Sequence, residues 1–185
     1  IRAEVAGTGV MVEAQLASEL SGFGLRPNMA DTCVVAISQS GTTTDTNRTV
    51  DLARSRGARV VAIVNRRNSD LTDRSEGVLY TSNGRDVEMS VASTKAFYAQ
   101  ITAGFLLAVG LADALGAPGA DDRSVVLSGL NELPEAMEQV LASRQHIAEV
   151  AQRHAPPRRH WAIVGSGSNL IAAREIRIKL SELCY

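Results

Sequence analysis

The stretch Cys33-Val-Val-Ala-Ile-Ser-Gln-Ser-Gly-Thr-Thr-Thr-Asp-Thr46 constrains the fold more than any other. An apolar, β-favouring run from Cys33 to Ile37 ends abruptly in Ser38-Gln-Ser-Gly-Thr-Thr43. A short apolar run bounded by small polar residues reads as a buried parallel strand. The turn then leads into a helix, with Thr44 or Asp45 at the capping position. A strand, turn and helix in this order aim backbone N–H groups, hydroxyls and the positive end of a helix dipole at one point. Such a point holds an anion, above all a phosphate. An ordinary helix cap also uses Ser or Thr, but it needs one such residue. Positions 38–43 hold four hydroxyls and an amide, which favours the anion. No Gly-Lys-Ser/Thr follows, so the turn is not a nucleotide-binding P-loop.

The plan then repeats. A helix over 45–56 turns Val50, Leu52 and Ala53 to the core and ends at Gly57. Arg59 to Val64 reads as a second buried strand, Ser69 to Ser75 as a helical turn, and Gly77 to Thr81 as a third strand. Strands alternating with helices at this spacing predict α/β architecture: a doubly wound, flavodoxin-like parallel sheet with flanking helices. Ahead of it, Met11 to Leu16 reads as a short strand; behind it, Ser90 to Leu115 reads as one long apolar helix. Gly116-Ala-Pro-Gly119 and Asp121-Asp122 break that helix, dividing the chain into lobes 1–118 and 119–185. The second part begins with a helical pair, Ser124 to Asn131 and Pro134 to His154, Pro134 sitting in a first turn. Pro156-Pro157 ends it. A strand from Trp161 to Val164 then opens into Gly165-Ser-Gly-Ser-Asn169 and a final helix, the start of a second, similar lobe.

Composition narrows the function classes. An apolar fraction of 45%, a charged fraction of 21% and a net charge of −1 describe a soluble globular protein with no pull toward nucleic acid or membrane. The run Ile101 to Leu111 is too short to span a bilayer. Cys33 reads as a small buried hydrophobe, and with Cys184 it suggests reduced thiols and a cytoplasmic address. Arg66-Arg67 and the acids Asp86 and Glu88 read as solvated, since no His or Cys joins the acids at metal-ligand spacing. Gly165 to Leu170 lacks the third glycine of a dinucleotide turn. No cofactor is called for. His146, His154 and His160 form no triad with a nearby Ser or Cys. On the last helix Glu175–Lys179 is an i,i+4 pair, and spacing alone makes that face, with Glu182, a solvated one. Ile1 to Ala6 offers no start signal and Tyr185 falls inside a helical pattern, which reads as a portion of a longer protein.

Ile37-Ser-Gln-Ser-Gly41 with Thr43, Asp45 and Thr46 resembles the signature of the sugar-isomerase (SIS) domain family. Val91-Ala-Ser-Thr-Lys-Ala-Phe97 followed by Gln100 is similar to a second signature, found in the isomerase half of glutamine–fructose-6-phosphate aminotransferases (glucosamine-6-phosphate synthases). Ala17-Ser-Glu-Leu20 resembles the segment preceding the first signature there. Lys179 to Tyr185 resembles the helix carrying the catalytic glutamate. The matches come in the family's order and cover most of the chain from about Ala17. The resemblance implies an SIS fold whose first lobe lacks its N-terminal strand. It implies that Ser38, Gln39, Ser40 and Thr43 hold the phosphate of fructose 6-phosphate or glucosamine 6-phosphate. Val91, Ala92 and Ser93 would line the sugar, the first two partly through the backbone. Glu182 would shuttle the proton that turns a ketose imine into an aldose amine, with Lys179 nearby; such a base is tuned by burial. A homodimer and, in the complete chain, a glutaminase domain are further implications. Thr42 stands where the family usually has Glu. The family's Gly-Thr-Ser loop would precede Ile1, and its histidine loop and lysine tail would follow Tyr185. Two other readings carry the same motifs: a sugar-phosphate sensor that binds without catalysing, and a lobe that serves dimerisation alone.

Overall fold

A computed structural model describes residues 1–83, 93 and 95–183, with the backbone alone for Ala120 and Asp121. The chain divides into two compact units, Ile1–Pro118 and Gly119–Tyr185. In the first, β1 (Cys33–Ser38), β2 (Arg59–Val64) and β3 (Gly77–Tyr80) form a parallel sheet in the order β1-β2-β3. The register aligns Ser38 with Val64, and Val64 with Tyr80, so the three carboxyl ends lie side by side.

The centre of the sheet is β2, and its sequence Arg-Val-Val-Ala-Ile-Val explains why. A strand covered on both faces can be apolar at successive positions, and Val60, Ala62, Ile63 and Val64 are all fully buried. On one face α2 (Thr44–Arg54) and α3 (Asp70–Asp73) contribute Val50 and Leu71 to a core with Ala36, Val60, Ala62 and Val64. On the other face lies α4 (Lys95–Ala114), packed over β2. Gly104 faces Ile63 there: a Cβ on it would make ordinary contact with Ile63 Cδ1 at 3.9 Å. Removing Leu71 back to Ala would cost about 2–5 kcal/mol.

Turn chemistry closes the crossovers. Gly57, at φ 95°, ends α2 as expected, and its backbone runs against Ala30. Met29 then joins Ala53 and Ala58 in a second small core. Before β1, α1 (Ala17–Glu19) and the π-helical turn Leu20–Gly24 are tied to α2 by Thr49, whose hydroxyl donates to Ala17 O at 2.8 Å. Residues 11–16, expected as a strand, are irregular.

Cys33 corrects the expectation of a buried thiol, because it is exposed, as is Ile37. Alternate residues of β1 face α2, but the other face lies beyond the cover of α4, and among the described residues β1 pairs with β2 alone. The helix α4 falls within the expected Ser90 to Leu115 and is longer than its most apolar run, Ile101 to Leu111. By length and composition it is sufficient to cross a membrane. One side of it is buried, through Ala96, Ala103, Ala108, Val109 and Ala112, while Tyr98, Ile101 and Leu106 are exposed.

The second unit holds α5 (Ala120–Ala142), α6 (Arg144–His154) and α7 (Asn169–Leu183). The expected break at Pro134 is absent: α5 runs through it and ends at Ser143. Proline removes one N–H and crowds one carbonyl, and good helix formers on either side, Glu132-Leu133 and Glu135-Ala136-Met137, carry the helix past it. The expected strand Trp161 to Val164 is not one either. An isolated strand has no ladder to join, no other strand of this unit lies among the described residues, and Val164 stands 90% exposed. The glycine turn after it packs tightly, since a Cβ on Gly165 would fall 2.5 Å from Asn169 O.

Candidate active site

The turn from Ser38 to Thr43 is shaped from within. Gly41, at φ 66°, occupies a conformation that L side chains rarely adopt. Its carbonyl accepts from Leu71 N at 3.0 Å and from Asn47 Nδ2 at 3.1 Å. Its N–H donates to Ser38 Oγ at 3.1 Å. A Cβ at this position would lie 2.1 Å from Ser69 Oγ and 2.7 Å from Ser69 Cβ, and Ser69 is buried and unable to swing away. Gly41→Ala is therefore expected to destabilise the protein by about 2–4 kcal/mol. Gly116→Ala, also at positive φ but with open space around it, should cost only about 1. Thermal unfolding of the two variants checks the difference; equal shifts would remove the close-packing argument.

The hydroxyls converge. Ser38 Oγ, buried at the end of β1, lies 3.5 Å from Thr43 Oγ1. Ser40 Oγ accepts from Thr42 N at 3.2 Å and from Thr42 Oγ1 at 2.9 Å. The N-cap of α2 is Thr43, not Thr44 or Asp45, and its hydroxyl makes no capping bond. That leaves the first-turn N–H groups of α2 without a side-chain cap, beside a cluster of hydroxyls, which is how a protein presents donors to an anion.

A polar rail continues along the strand ends. The Gln39 carbonyl accepts from Asn65 N at 3.2 Å and Arg66 N at 3.3 Å, locking the end of β1 to that of β2. Asn65 Oδ1 accepts from the hydroxyls of Thr81 and Ser82, locking β2 to β3. From α4, Gln100 Nε2 donates to Gln39 Oε1 at 3.4 Å. Gln39, Asn65, Thr81, Ser82, Lys95, Ala96 and Ala99 line a small cavity of about 50 Å³. A larger, open cleft starts at Thr42 and Thr44 beside the turn and follows the outer side of α2, past Arg48 and the Asp51–Arg74 ion pair. Ligands of parallel α/β sheets sit at the carboxyl ends of strands, which makes the turn and the small cavity the candidate site. Arg67 is exposed, as expected, and its guanidinium lies 4.1 Å from the centre of the Tyr80 ring.

Ser38, Gln39, Ser40 and Thr43 are thus gathered at one sheet end. Val91 and Ala92 lie outside the described residues, as do Asp86, Glu88 and Cys184. Ser93 is half-buried, and its hydroxyl has no partner. Lys179 and Glu182 lie on α7 in the second unit. Lys179 Nζ stands 3.1 Å from Glu175 Oε1 and 3.4 Å from Glu182 Oε2. Desolvation pulls the Lys179 pKa down, but the two carboxylates outweigh it and the net shift is upward. Asn47, Asn65, Thr81 and Ser82 escaped the sequence reading. Asn65 had the same signal as Ser38, the first polar residue after an apolar run.

A family profile described as "SIS domain" matches residues 6–110. The chain belongs to the SIS domain family. Among relatives of this SIS chain is the glutamine–fructose-6-phosphate aminotransferase [isomerizing] of Corynebacterium glutamicum, 42% identical over 154 residues, which are 83% of this chain and 24% of that one. The enzyme of the same name from Mycolicibacterium smegmatis is 38% identical over 180 residues, 96% of this chain and 28% of that one. The SIS chain thus spans about a quarter of the length of these relatives. Among solved structures, the C-terminal domain of glucosamine-fructose-6-phosphate aminotransferase from Francisella tularensis superposes with a TM-score of 0.86 at 25% identity, over 98% of this chain and 51% of that one.

Proposed function

We propose that this SIS chain binds a phosphorylated ketose, fructose 6-phosphate, and takes part in its isomerisation within an enzyme of the glutamine–fructose-6-phosphate aminotransferase kind. The observation that carries this reading is the Ser38–Thr43 turn: uncapped helix amides and clustered hydroxyls at the ends of parallel strands, in a chain whose relatives bear that enzyme name. Ser38, Gln39, Ser40 and Thr43 hold the phosphate. Val91, Ala92 and Ser93 line the sugar. Glu182 moves the proton between the first two sugar carbons, with Lys179 fixing its position by the ion pair on α7. A homodimer, a glutaminase domain in the complete protein and a cytoplasmic address belong to the same reading. The exposed apolar residues Tyr98, Ile101 and Leu106 of α4 would then be taken up by the partner copy.

The test is selectivity for the phosphate. Calorimetry on the complete protein should show binding of fructose 6-phosphate and glucosamine 6-phosphate, with fructose and glucosamine at least about 100-fold weaker, since two charge-assisted bonds at ~1.5–3 kcal/mol each are lost. Equal affinity for fructose and fructose 6-phosphate would sink the proposal.

A further inference from the structure

Gln39 differs from Ser38, Ser40 and Thr43 in one respect. A hydroxyl rotates to serve as donor or acceptor, whereas an amide has one end that only donates and one that only accepts. An anion is held by donors, so a Gln39 side chain turned the wrong way would set a carbonyl oxygen against it. We infer that Gln100 is the positioning residue that orients the Gln39 amide, with its NH2 end toward the anion. The inference rests on the phosphate reading of the Ser38–Thr43 turn.

Gln100 lies on α4, far from Gln39 in sequence, and donates from Nε2 to Gln39 Oε1 at 3.4 Å in a half-buried setting. The Gln39 main chain is already pinned, its carbonyl held by the amides of Asn65 and Arg66. The remaining freedom is in the side chain. With Oε1 engaged by Gln100, the end left over is the donor. The platform carrying Gln100 is firm, because α4 packs on β2 with Ala96 and Ala103 buried. In this arrangement α4 does more than cover the core: it sets the polarity of one side chain in the anion site.

Glutamate at position 100 reverses the pair. A carboxylate accepts only, so it draws the Gln39 NH2 to itself and turns Oε1 toward the anion. Calorimetry on the complete protein with fructose 6-phosphate, and with inorganic phosphate as a second probe, separates this from a simple structural role. Gln100→Met should weaken binding by about 3–10-fold and Gln100→Glu by about 10–100-fold. In a Gln39→Ala background there is no amide to turn. There the Gln100→Met effect should vanish, and the Gln100→Glu effect should shrink to what its charge alone produces. Losses of equal size in both backgrounds overturn the inference, as does wild-type affinity in Gln100→Glu, which would mean that the pair runs in the opposite sense. If Gln100→Glu fails to fold, the Gln100→Met pair of measurements decides alone. Should Ser40→Ala/Thr43→Ala weaken binding while the Gln100 variants do not, the positioning role falls and the phosphate reading stands. Should wild type bind neither probe, both fall.

Discussion

Glu182→Gln in the complete protein is expected to lower turnover by about 10²–10⁴-fold while leaving the affinity for fructose 6-phosphate nearly unchanged. The isomerisation moves a proton from the first sugar carbon to the second, and the group that does so must be a base in reach of both. Glutamine keeps the length and shape of Glu182 and its capacity to accept from Lys179 Nζ, which stands 3.4 Å from the carboxylate. It removes only the basic site. Exchange of the first-carbon proton with deuterium oxide, followed by NMR, should disappear together with turnover. Glu175 is the internal control: it pairs with the same ammonium at 3.1 Å, so Glu175→Gln perturbs Lys179 without touching the proposed base and should leave exchange within a few-fold of wild type. Full activity in Glu182→Gln would assign the Lys179 pair to a solvated helix face, worth a few tenths of a kcal/mol. Binding without exchange in the wild-type protein would favour a sensor over an enzyme.

What the sequence disclosed, and what it hid, follows from the range of the interactions involved. The run Arg59 to Val64 is apolar at successive positions because both of its faces are covered, and that requirement is visible in six residues. Gly57 and the turn Ser38 to Thr43 are equally local, since a positive φ or a crowd of hydroxyls needs no distant partner to be noticed. Cys33 and Trp161 failed for the converse reason. The two runs look alike, but exposure of Cys33 depends on how far α4 extends across the sheet, and a strand at Trp161 depends on a neighbour to pair with. Pro134 was misread because the rule against proline inside helices is an energetic cost, about 3 kcal/mol, and not a prohibition: α5 continues through it. The candidate site divides along the same line. Ser38, Gln39, Ser40 and Thr43 are contiguous and fold into one turn. Asn65 and Thr81 reach that turn only through the register of three strands, which no short motif encodes, and Gln100, though part of the second signature, meets Gln39 only through the placement of α4.

Ser40→Ala combined with Thr43→Ala should weaken fructose 6-phosphate binding by about 3–6 kcal/mol, roughly two to four orders of magnitude in affinity, taking each charge-assisted bond at ~1.5–3. The pair is chosen because neither hydroxyl holds the turn together. The turn's shape depends on the Gly41 carbonyl, held by Leu71 N and Asn47 Nδ2, and on the Gly41 N–H bonded to Ser38 Oγ. Ser40 Oγ accepts only from the neighbouring, exposed Thr42, and Thr43 makes no capping bond to α2 and meets Ser38 Oγ only at a long 3.5 Å. Stability should therefore change by less than about 1 kcal/mol, in contrast to Gly41→Ala. Ser38→Ala makes the complementary case: its oxygen also accepts from Gly41 N, so that variant should lose stability and affinity together. The backbone amides at the start of α2 remain in every variant, which is why inorganic phosphate should keep a residual, millimolar affinity. Calorimetry for binding and thermal unfolding for stability, run on the same three variants, separate the two contributions. Undiminished affinity in Ser40→Ala/Thr43→Ala would leave the hydroxyl cluster without a ligand and remove the ground for placing the phosphate there.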